Sequence, residues 1–179
     1  MNLRKKTSFC LKMVSLVTIF LASGFPLFAA SAAASKSSET CPSNPEPARI
    51  AFQKGELEIE SPQGVRNRFQ VELADAPEQQ TLGLMYRPQI ARGTGMLFRY
   101  PEPREMAIWM KNTCASLDIL FFDAQGVLKS ISRNAVPFSL ASHPSPGRIL
   151  WVLEIGAGES ARLKLEPGAR ARLISKKET

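Results

Sequence analysis

The sequence is poor in histidine and cysteine, which narrows the chemistry available to it. Its 179 residues include one histidine and three cysteines. His143 lies in a stretch rich in proline and serine, with no further ligand at metal-site spacing. This argues against a metal site and against a serine–histidine triad. We therefore expect neither a metal nor another cofactor.

Beyond the first 34 residues the sequence also lacks a large excess of either charge sign, and it lacks long apolar runs. The chain has 23 basic and 16 acidic residues, and four of the basic ones precede residue 34, which leaves 19 against 16. Because the charges nearly balance and no basic stripe is present, we do not expect nucleic acid to be a partner. No later segment is long and uncharged enough to span a membrane.

The N-terminus has the segment order of a secretory signal peptide. Basic residues up to Lys12 precede an apolar run over residues 13–28, and small residues follow at 29–34. We expect cleavage after Ala32 or Ala34 and hence a periplasmic or secreted protein. An uncleaved anchor is the alternative, but the apolar run is shorter than the ~20 residues that a spanning helix needs.

Two cysteines, Cys41 and Cys114, remain after this cleavage. An even pair in an oxidising compartment favours a disulfide, with two free thiols as the alternative. Their spacing is far from the C-x-x-C of a redox-active pair. Residues 35–49 are polar and proline-rich, which is typical of a flexible leader, and residues 50–175 then form one domain.

Most of that domain predicts strands. Over residues 65–73 the apolar side chains share one parity and the charged ones the other, as in a half-buried strand. Further strands are predicted at 56–60, 96–100, 106–110, 117–122, 127–133, 148–155 and 169–174. Helices are expected from Asp75 to about Leu84 and at 159–163. Short connections and two short helices predict a mainly β domain, an antiparallel sandwich or barrel-like fold.

A candidate site begins at Trp109-Met110-Lys111-Asn112-Thr113. With residues 106–110 in a strand, Lys111 shares a face with Trp109, which suits an anion or a sugar; alternatively the lysine stem merely covers the indole. Asn112 and Thr113 stand where the chain turns, either as ligand donors or as turn formers.

Three further charged residues extend this candidate site. Asp118 lies in an apolar strand, where it needs an ion pair with Lys111 or an arginine, hydrogen bonds from residues 112–116, or a ligand. Arg87 suits a carboxylate or phosphate, or an ion pair with Asp118 or Glu154. Glu154 closes another apolar run and is the second candidate base.

The motifs together resemble one family. Four motifs carry the resemblance: Gly83-Leu84-Met85 with Arg87, Gly95-Met96-Leu97-Phe98, Trp109 to Thr113, and Leu117-Asp118-Ile119. Their order and spacing are similar to those of domain of unknown function family 192. Val152-Leu153-Glu154, Gly158 and Pro167-Gly168 fit its C-terminal part, so the resemblance covers about residues 55–174. It implies a small, mainly β domain, often exported, and no activity. It also implies recurrent polar positions at Arg87, Lys111, Asn112, Thr113, Asp118 and Glu154.

Two departures from the family pattern concern Cys114 and the C-terminus. The family usually has an apolar residue at 114, which favours a disulfide peculiar to this chain. The usual Gly-Ile/Leu and Pro-Gly-Asp become Lys164-Leu165 and Pro167-Gly168-Ala169, so a role for that aspartate is absent here.

Three functions remain open from the sequence. The first is a periplasmic binding or accessory module whose polar pocket, beside Trp109, takes a small polar or anionic group such as a saccharide or carboxylate. The second is a hydrolase or lyase with Asp118 or Glu154 as base and Lys111 or Arg87 as charge stabiliser. The third is a non-enzymatic domain that binds another envelope protein.

Overall fold

A computed structural model of the protein describes residues 40–43 and 50–177. The predicted signal peptide at 1–34 and most of the predicted leader at 35–49 lie outside the described residues. Within the described ranges, no helix is both long and apolar enough to cross a membrane.

The described chain consists of strands and two short helices. In order they are β1 (Gln53–Glu60), β2 (Arg66–Ala74), α1 (Pro77–Leu82), β3 (Thr94–Arg104), β4 (Ala107–Ile108), β5 (Leu117–Phe122), β6 (Leu128–Ala135), β7 (His143–Pro144), β8 (Ile149–Gly156), α2 (Glu159–Arg162) and β9 (Arg170–Lys177). The predicted mainly β class is thereby confirmed.

Seven strands form one mixed sheet in the order β6-β5-β8-β3-β2-β1-β9. Its neighbouring strands are antiparallel except β2 and β3, which run parallel. Parallel neighbours need a long crossover, and residues 75–93 supply one that contains α1. Short connections predict antiparallel pairing, and this crossover is the exception.

The sheet curls so that its two outer strands approach each other. Val127, just before β6, forms a single antiparallel bridge with Arg170 at the start of β9. Gly168 and Ala169 add backbone hydrogen bonds to Leu128 at this point. The sheet therefore encloses one apolar core without closing into a full barrel.

Both faces of the central strands are buried. One core, inside the curl, contains Leu57, Phe69, Leu120 and Leu153. A second core on the opposite face is built from other residues of the same strands, such as Phe121. All six residues of β5 are buried as a result. Every charged side chain in these central strands must therefore find a partner or a cavity.

The start of α1 differs from the prediction in its capping group. Gln79 Oε1 accepts the backbone N–H groups of Asp75 and Ala76, each at 2.9 Å. The Asp75 carboxylate, expected to cap, binds Arg99 instead. The helix ends at Leu82, two residues before the expected end, because Gly83 has φ +50°.

The predicted strand at 106–110 is much shorter in the structure. Only Ala107 and Ile108 are in β4, where they pair with β7 in a separate two-stranded sheet. His143 therefore lies in a short strand, whereas we had expected it in a loop. Residues 109–113 turn instead of extending, and Asn112 has φ +53°.

Candidate functional site

A cavity of about 160 Å³ lies on the outer face of the sheet and contains Glu154 and Trp109. Its walls come from α1 and the residues after it, from β3 and β8, and from β4 and the following turn. A single water needs roughly 10–15 Å³ of such space, so the cavity accommodates several waters or one small organic group.

Glu154 is the acidic residue of this cavity. It lies on β8, opposite Met96 of β3 and Ile119 of β5, and only 5% of its surface is exposed. Among residues 40–43 and 50–177, no donor or cation pairs with its carboxyl group, and burial raises its pKa to about 8. A buried acid without a partner is typical of a functional site and unfavourable in a purely structural role.

Two glycines allow the backbone to come close enough to form this cavity. A Cβ at Gly95 would lie 2.5 Å from the Glu154 carbonyl oxygen, so only glycine lets β3 approach β8 here. A Cβ at Gly83 would lie 3.2 Å from the Phe98 ring, and its φ of +50° also favours glycine. Gly83 therefore brings the end of α1 onto the aromatic wall of the cavity.

Tyr100 is a cavity residue that sequence reasoning did not single out. Burial raises its pKa to about 12, and the nearby charge of Glu154 acts in the same direction. The Arg104 guanidinium, 5.6 Å from the centre of the tyrosine ring, opposes this shift. The sequence shows a tyrosine at the end of a predicted apolar strand. Nothing in the sequence indicates that this strand pairs with the strand that carries Glu154.

Trp109 lines the exposed side of the cavity, and Lys111 lies over its indole. The ammonium is 5.3 Å from the ring centre, and the indole is 53% exposed. The expected contact between the two side chains is therefore present. Lys111 itself is exposed and is not part of the cavity wall, so its stem covers the indole from outside.

Asn112 and Thr113 connect the cavity to neighbouring segments. Asn112 donates from Nδ2 to the Tyr86 hydroxyl at 3.0 Å, and its carbonyl accepts the Tyr86 N–H at 2.9 Å. The buried Thr113 hydroxyl donates to the Lys111 carbonyl at 3.2 Å and lines the cavity. Of these two side chains only Thr113 reaches the cavity; Asn112 fixes the turn.

Asp118 lies on the opposite face of the sheet and has its own partners. It is fully buried, and its two oxygens accept the backbone N–H groups of Asn134 at 2.9 Å and Ser160 at 3.0 Å. The predicted ion pair with Lys111 and the predicted bonds from residues 112–116 are both wrong. The alternation of side chains along β5 sends residue 118 toward the inner core, away from the 109–113 turn.

Arg87 belongs to a different cavity. It forms an ion pair with Glu72 and lies 5.9 Å from the centre of the Phe52 ring. Together with Lys54 and Ile90 it lines a space of about 330 Å³ beside β2 and β3. The expected ion pair of Arg87 with Asp118 or Glu154 is therefore absent from the described structure. The candidate site predicted as one cluster divides into a Glu154 cavity, an Arg87 cavity and a buried Asp118.

Cys41 and Cys114 form a disulfide, as the sequence had favoured. Their Cα atoms are 5.5 Å apart, and 73 positions separate them along the chain. Cys114 directly follows Thr113 of the cavity wall. The bond therefore joins residues 40–43 covalently to the turn that carries the cavity.

A serine and the single histidine also meet, which the sequence pattern did not indicate. Ser132 Oγ and His143 Nδ1 are 2.7 Å apart, whereas the buried Nε2 has no partner in the described ranges. No carboxylate orients this imidazole within the described chain, so the pair lacks the third member of a triad. No group of three or more metal-ligating side chains occurs in the same ranges.

The fold and the site thus define a small protein built on a curled β-sheet, with a buried glutamate in a cavity on its outer face. The sequence profile of DUF192, described as "Uncharacterized ACR", matches residues 57–173, and the chain belongs to this family. No curated protein matches the chain.

Two crystal structures are similar to the whole domain. One is a "putative transcription regulator" from Sinorhizobium meliloti 1021, with 39% identity, a TM-score of 0.68, and coverage of 70% of this chain and 97% of that one. The other is a protein of unknown function from Novosphingobium aromaticivorans DSM 12444, with 32% identity, a TM-score of 0.66, and coverage of 75% and 95%.

Proposed function

We propose that this protein is an exported binding module whose cavity around Glu154 takes a small polar group. The observation that carries the proposal is the carboxyl group of Glu154, which is 5% exposed and unpartnered among the described residues. The Glu154 oxygens are not among the fully buried unpartnered atoms of the described chain, so they open onto the cavity, where a ligand can bond to them. The alternative is that Glu154 belongs to an internal polar network. No described residue forms a hydrogen bond or an ion pair with its carboxyl group, so such a network is not observed around Glu154.

The export part of the proposal rests on two independent features. The sequence begins with the basic, apolar and small-residue order of a signal peptide. The Cys41–Cys114 disulfide is of the kind that persists in oxidising compartments such as the periplasm. The matching location is therefore the periplasm or the outside of the cell.

A fragment screen by NMR tests the binding proposal. We expect compounds of fewer than about ten heavy atoms to shift the resonances of Thr113, Tyr100 and the Trp109 indole at millimolar to micromolar concentrations. Ala107→Phe narrows the cavity from an exposed position and should abolish the shifts. Glu166→Gln is the control, because Glu166 is exposed and lies outside the cavity wall. Absence of any cavity shift in the unmodified protein would reject the proposal.

A second candidate function is acid–base catalysis by Glu154. The observation that favours it is the pKa of about 8, which lets this carboxyl group gain and lose a proton near neutral pH. Tyr100 is its one titratable neighbour in the cavity wall, whereas Lys111, Arg87 and Asp118 lie elsewhere. Turnover of ester, glycoside or peptide substrates that disappears in Glu154→Gln and persists in Glu166→Gln would support this function; no turnover with any panel argues for binding alone.

A role in transcription, which the name of the Sinorhizobium meliloti relative suggests for that protein, finds little support in the surface charge. Three arginines of β2 and β9 lie on one sheet face, but glutamates of β1 neutralise them. These ion pairs are Arg66–Glu60, Arg68–Glu56, Arg68–Glu58 and Arg172–Glu58. A nucleic-acid surface requires arginines and lysines that are free to contact phosphates.

A further inference from the structure

The Glu154 cavity has an unusually simple charge composition. Of the side chains that form its wall, Glu154 carries the one carboxyl group and Tyr100 is the other titratable residue. Apolar, amide, hydroxyl and indole side chains form the parts of the wall that come from α1, the segment after it, β4 and the following turn. Lysine and arginine are absent from the described wall. A site for a carboxylate or a phosphate normally carries at least one of these cations.

We propose that the group bound in this cavity is a small primary ammonium, an inference that rests on the proposed function. The unpartnered Glu154 carboxylate supplies the opposite charge that an ammonium needs when it leaves water. The Thr113 oxygen, whose hydrogen already bonds to the Lys111 carbonyl, keeps lone pairs for a second hydrogen bond. An ammonium has three N–H donors for these acceptors.

The aromatic wall of the cavity supports this assignment through Phe98. Phe98, Tyr100 and Trp109 all line the cavity beside Glu154. The face of an aromatic ring attracts a cation by about 0.5–2 kcal/mol and gives no such advantage to an anion. Arg104 already lies 5.6 Å from the Tyr100 ring centre and Lys111 5.3 Å from that of Trp109, so among the described residues Phe98 is the ring of the three without a cation. A cavity of about 160 Å³ limits the ligand to the ammonium and a short alkyl chain. The ammonium then belongs either to a free small amine or to the end of a lysine side chain.

Binding of a cation here requires the loss of one proton from Glu154. Burial raises the pKa of Glu154 to about 8, so the empty cavity holds a carboxylic acid at neutral pH. The ammonium pairs with the carboxylate, and the carboxyl proton passes to solvent. Tyr100 stays protonated throughout, because its pKa is raised to about 12. Affinity should therefore rise about 50-fold from pH 6 to pH 8, as the ionised fraction of the free protein increases.

Calorimetry with n-butylammonium, butyrate and n-butanol tests the charge preference. We expect n-butylammonium to bind at least tenfold more tightly at pH 8 than at pH 6. In two buffers of different ionisation enthalpy, binding at pH 7 should release about one proton. Glu154→Gln should abolish binding of the amine, and Glu166→Gln should leave it unchanged. Ala107→Phe is the second variant, because it blocks the cavity without altering the carboxyl group.

The failure of this inference can be told apart from the failure of the proposed function. If butyrate or n-butanol shifts the cavity resonances while n-butylammonium does not, the cavity binds ligands and the ammonium assignment is wrong. Equal binding of n-butylammonium to Glu154→Gln and to the unmodified protein overturns it as well. If none of the three compounds binds and the fragment screen finds no ligand either, both proposals fail.

A last comparison identifies the source of the ammonium. Nα-acetyl-lysine methylamide presents the same ammonium on a peptide backbone, and its Nζ-acetylated form lacks the charge. Tighter binding of the lysine compound than of n-butylammonium, lost on Nζ-acetylation, assigns the cavity to a lysine of a partner protein. Tighter binding of n-butylammonium assigns it to a free amine, and equal binding of the acetylated and unacetylated compounds overturns the ammonium assignment.

Discussion

Asp118 and Glu154 lie on adjacent strands, and both are almost completely buried, yet their surroundings are opposite. Glu154 pairs in register with Ile119, the residue next to Asp118, so the two carboxyl groups point to opposite faces of the sheet. Asp118 accepts two backbone N–H groups in the inner core. Glu154 has no donor among the described residues and lines a cavity on the outer face.

This difference separates a structural carboxylate from a candidate functional one. Backbone donors are fixed by the fold, so Asp118 links β5 to the chain at residues 134 and 160 without the help of a ligand. Burial without a donor favours the neutral form of Glu154, which makes its protonation and any ligand binding depend on each other. Burial alone could not have distinguished these roles; the presence or absence of a partner does.

The largest expected effect comes from removing the structural carboxylate. Asp118→Ala leaves the N–H groups of Asn134 and Ser160 buried without an acceptor, which should lower the free energy of unfolding by about 4 kcal/mol. Urea denaturation at pH 7 measures this loss, with Glu154→Gln as the matched control that should not destabilise. A loss below 1 kcal/mol for Asp118→Ala would contradict the comparison.

The next largest effect is a pH dependence of the free energy of unfolding that Glu154 causes and Asp118 does not. Its pKa is about 8 in the folded protein against an ordinary value of 4.5, so the folded state keeps a proton that the unfolded chain loses. The stability of the folded state should therefore fall as pH rises through this window, by about 3 kcal/mol between pH 4.5 and pH 7 relative to Glu154→Gln.

Denaturation of both proteins at several pH values measures this difference. The Asp118→Asn variant serves as the second reference, since its Glu154 is intact and should retain the same pH dependence. A constant gap between the unmodified protein and Glu154→Gln from pH 4.5 to pH 8 would show that folding does not raise the pKa of Glu154.

The disulfide should have a smaller effect, restricted to the cavity side of the sheet. Replacing both Cys41 and Cys114 by serine should lower the free energy of unfolding by about 2 kcal/mol, because the unfolded chain gains freedom. NMR shifts should change at Thr113 and leave the amides of Asn134 and Ser160 unaltered. Equal changes at Asp118 and at the cavity would show that the two regions are coupled.

The smallest effect is expected at Lys111, which lies outside the cavity wall. Lys111→Ala removes one exposed contact with the indole and should change the free energy of unfolding by about 0.5 kcal/mol. The Kd of n-butylammonium should change less than twofold, whereas Trp109→Ala, which removes part of the wall, should weaken binding at least fivefold. A complete loss of binding in Lys111→Ala would place the lysine in the site after all.

The sequence alone predicted the fold class and the candidate site residues. It did not predict which of these residues lie together in one cavity. Alternating apolar residues predicted most strands within a few residues of their observed ends, because that periodicity records burial directly. The parallel crossover from β2 to β3 and the short β4 depend on long-range pairing, which leaves no local trace. For the same reason the sequence placed Asp118 beside Lys111, when the pleat of β5 turns it inward.

Glu154 was identified as a candidate from its apolar strand and Trp109 as the aromatic neighbour of Lys111, and the two do meet in one cavity. Tyr100 was missed, because its importance comes from β3 lying against β8. Arg87 was grouped with them on account of its charge and of the family resemblance, and its actual partner, Glu72, lies on β2.

The bond between Cys41 and Cys114 also determines what a protease can remove from this protein. A cut anywhere between residues 43 and 50 separates the peptide backbone but leaves the N-terminal fragment attached through sulfur. Such a nicked molecule migrates as one species on a non-reducing gel and as two after reduction. Trimming in an oxidising compartment would therefore leave residue 41 next to the turn that carries Trp109 and Thr113.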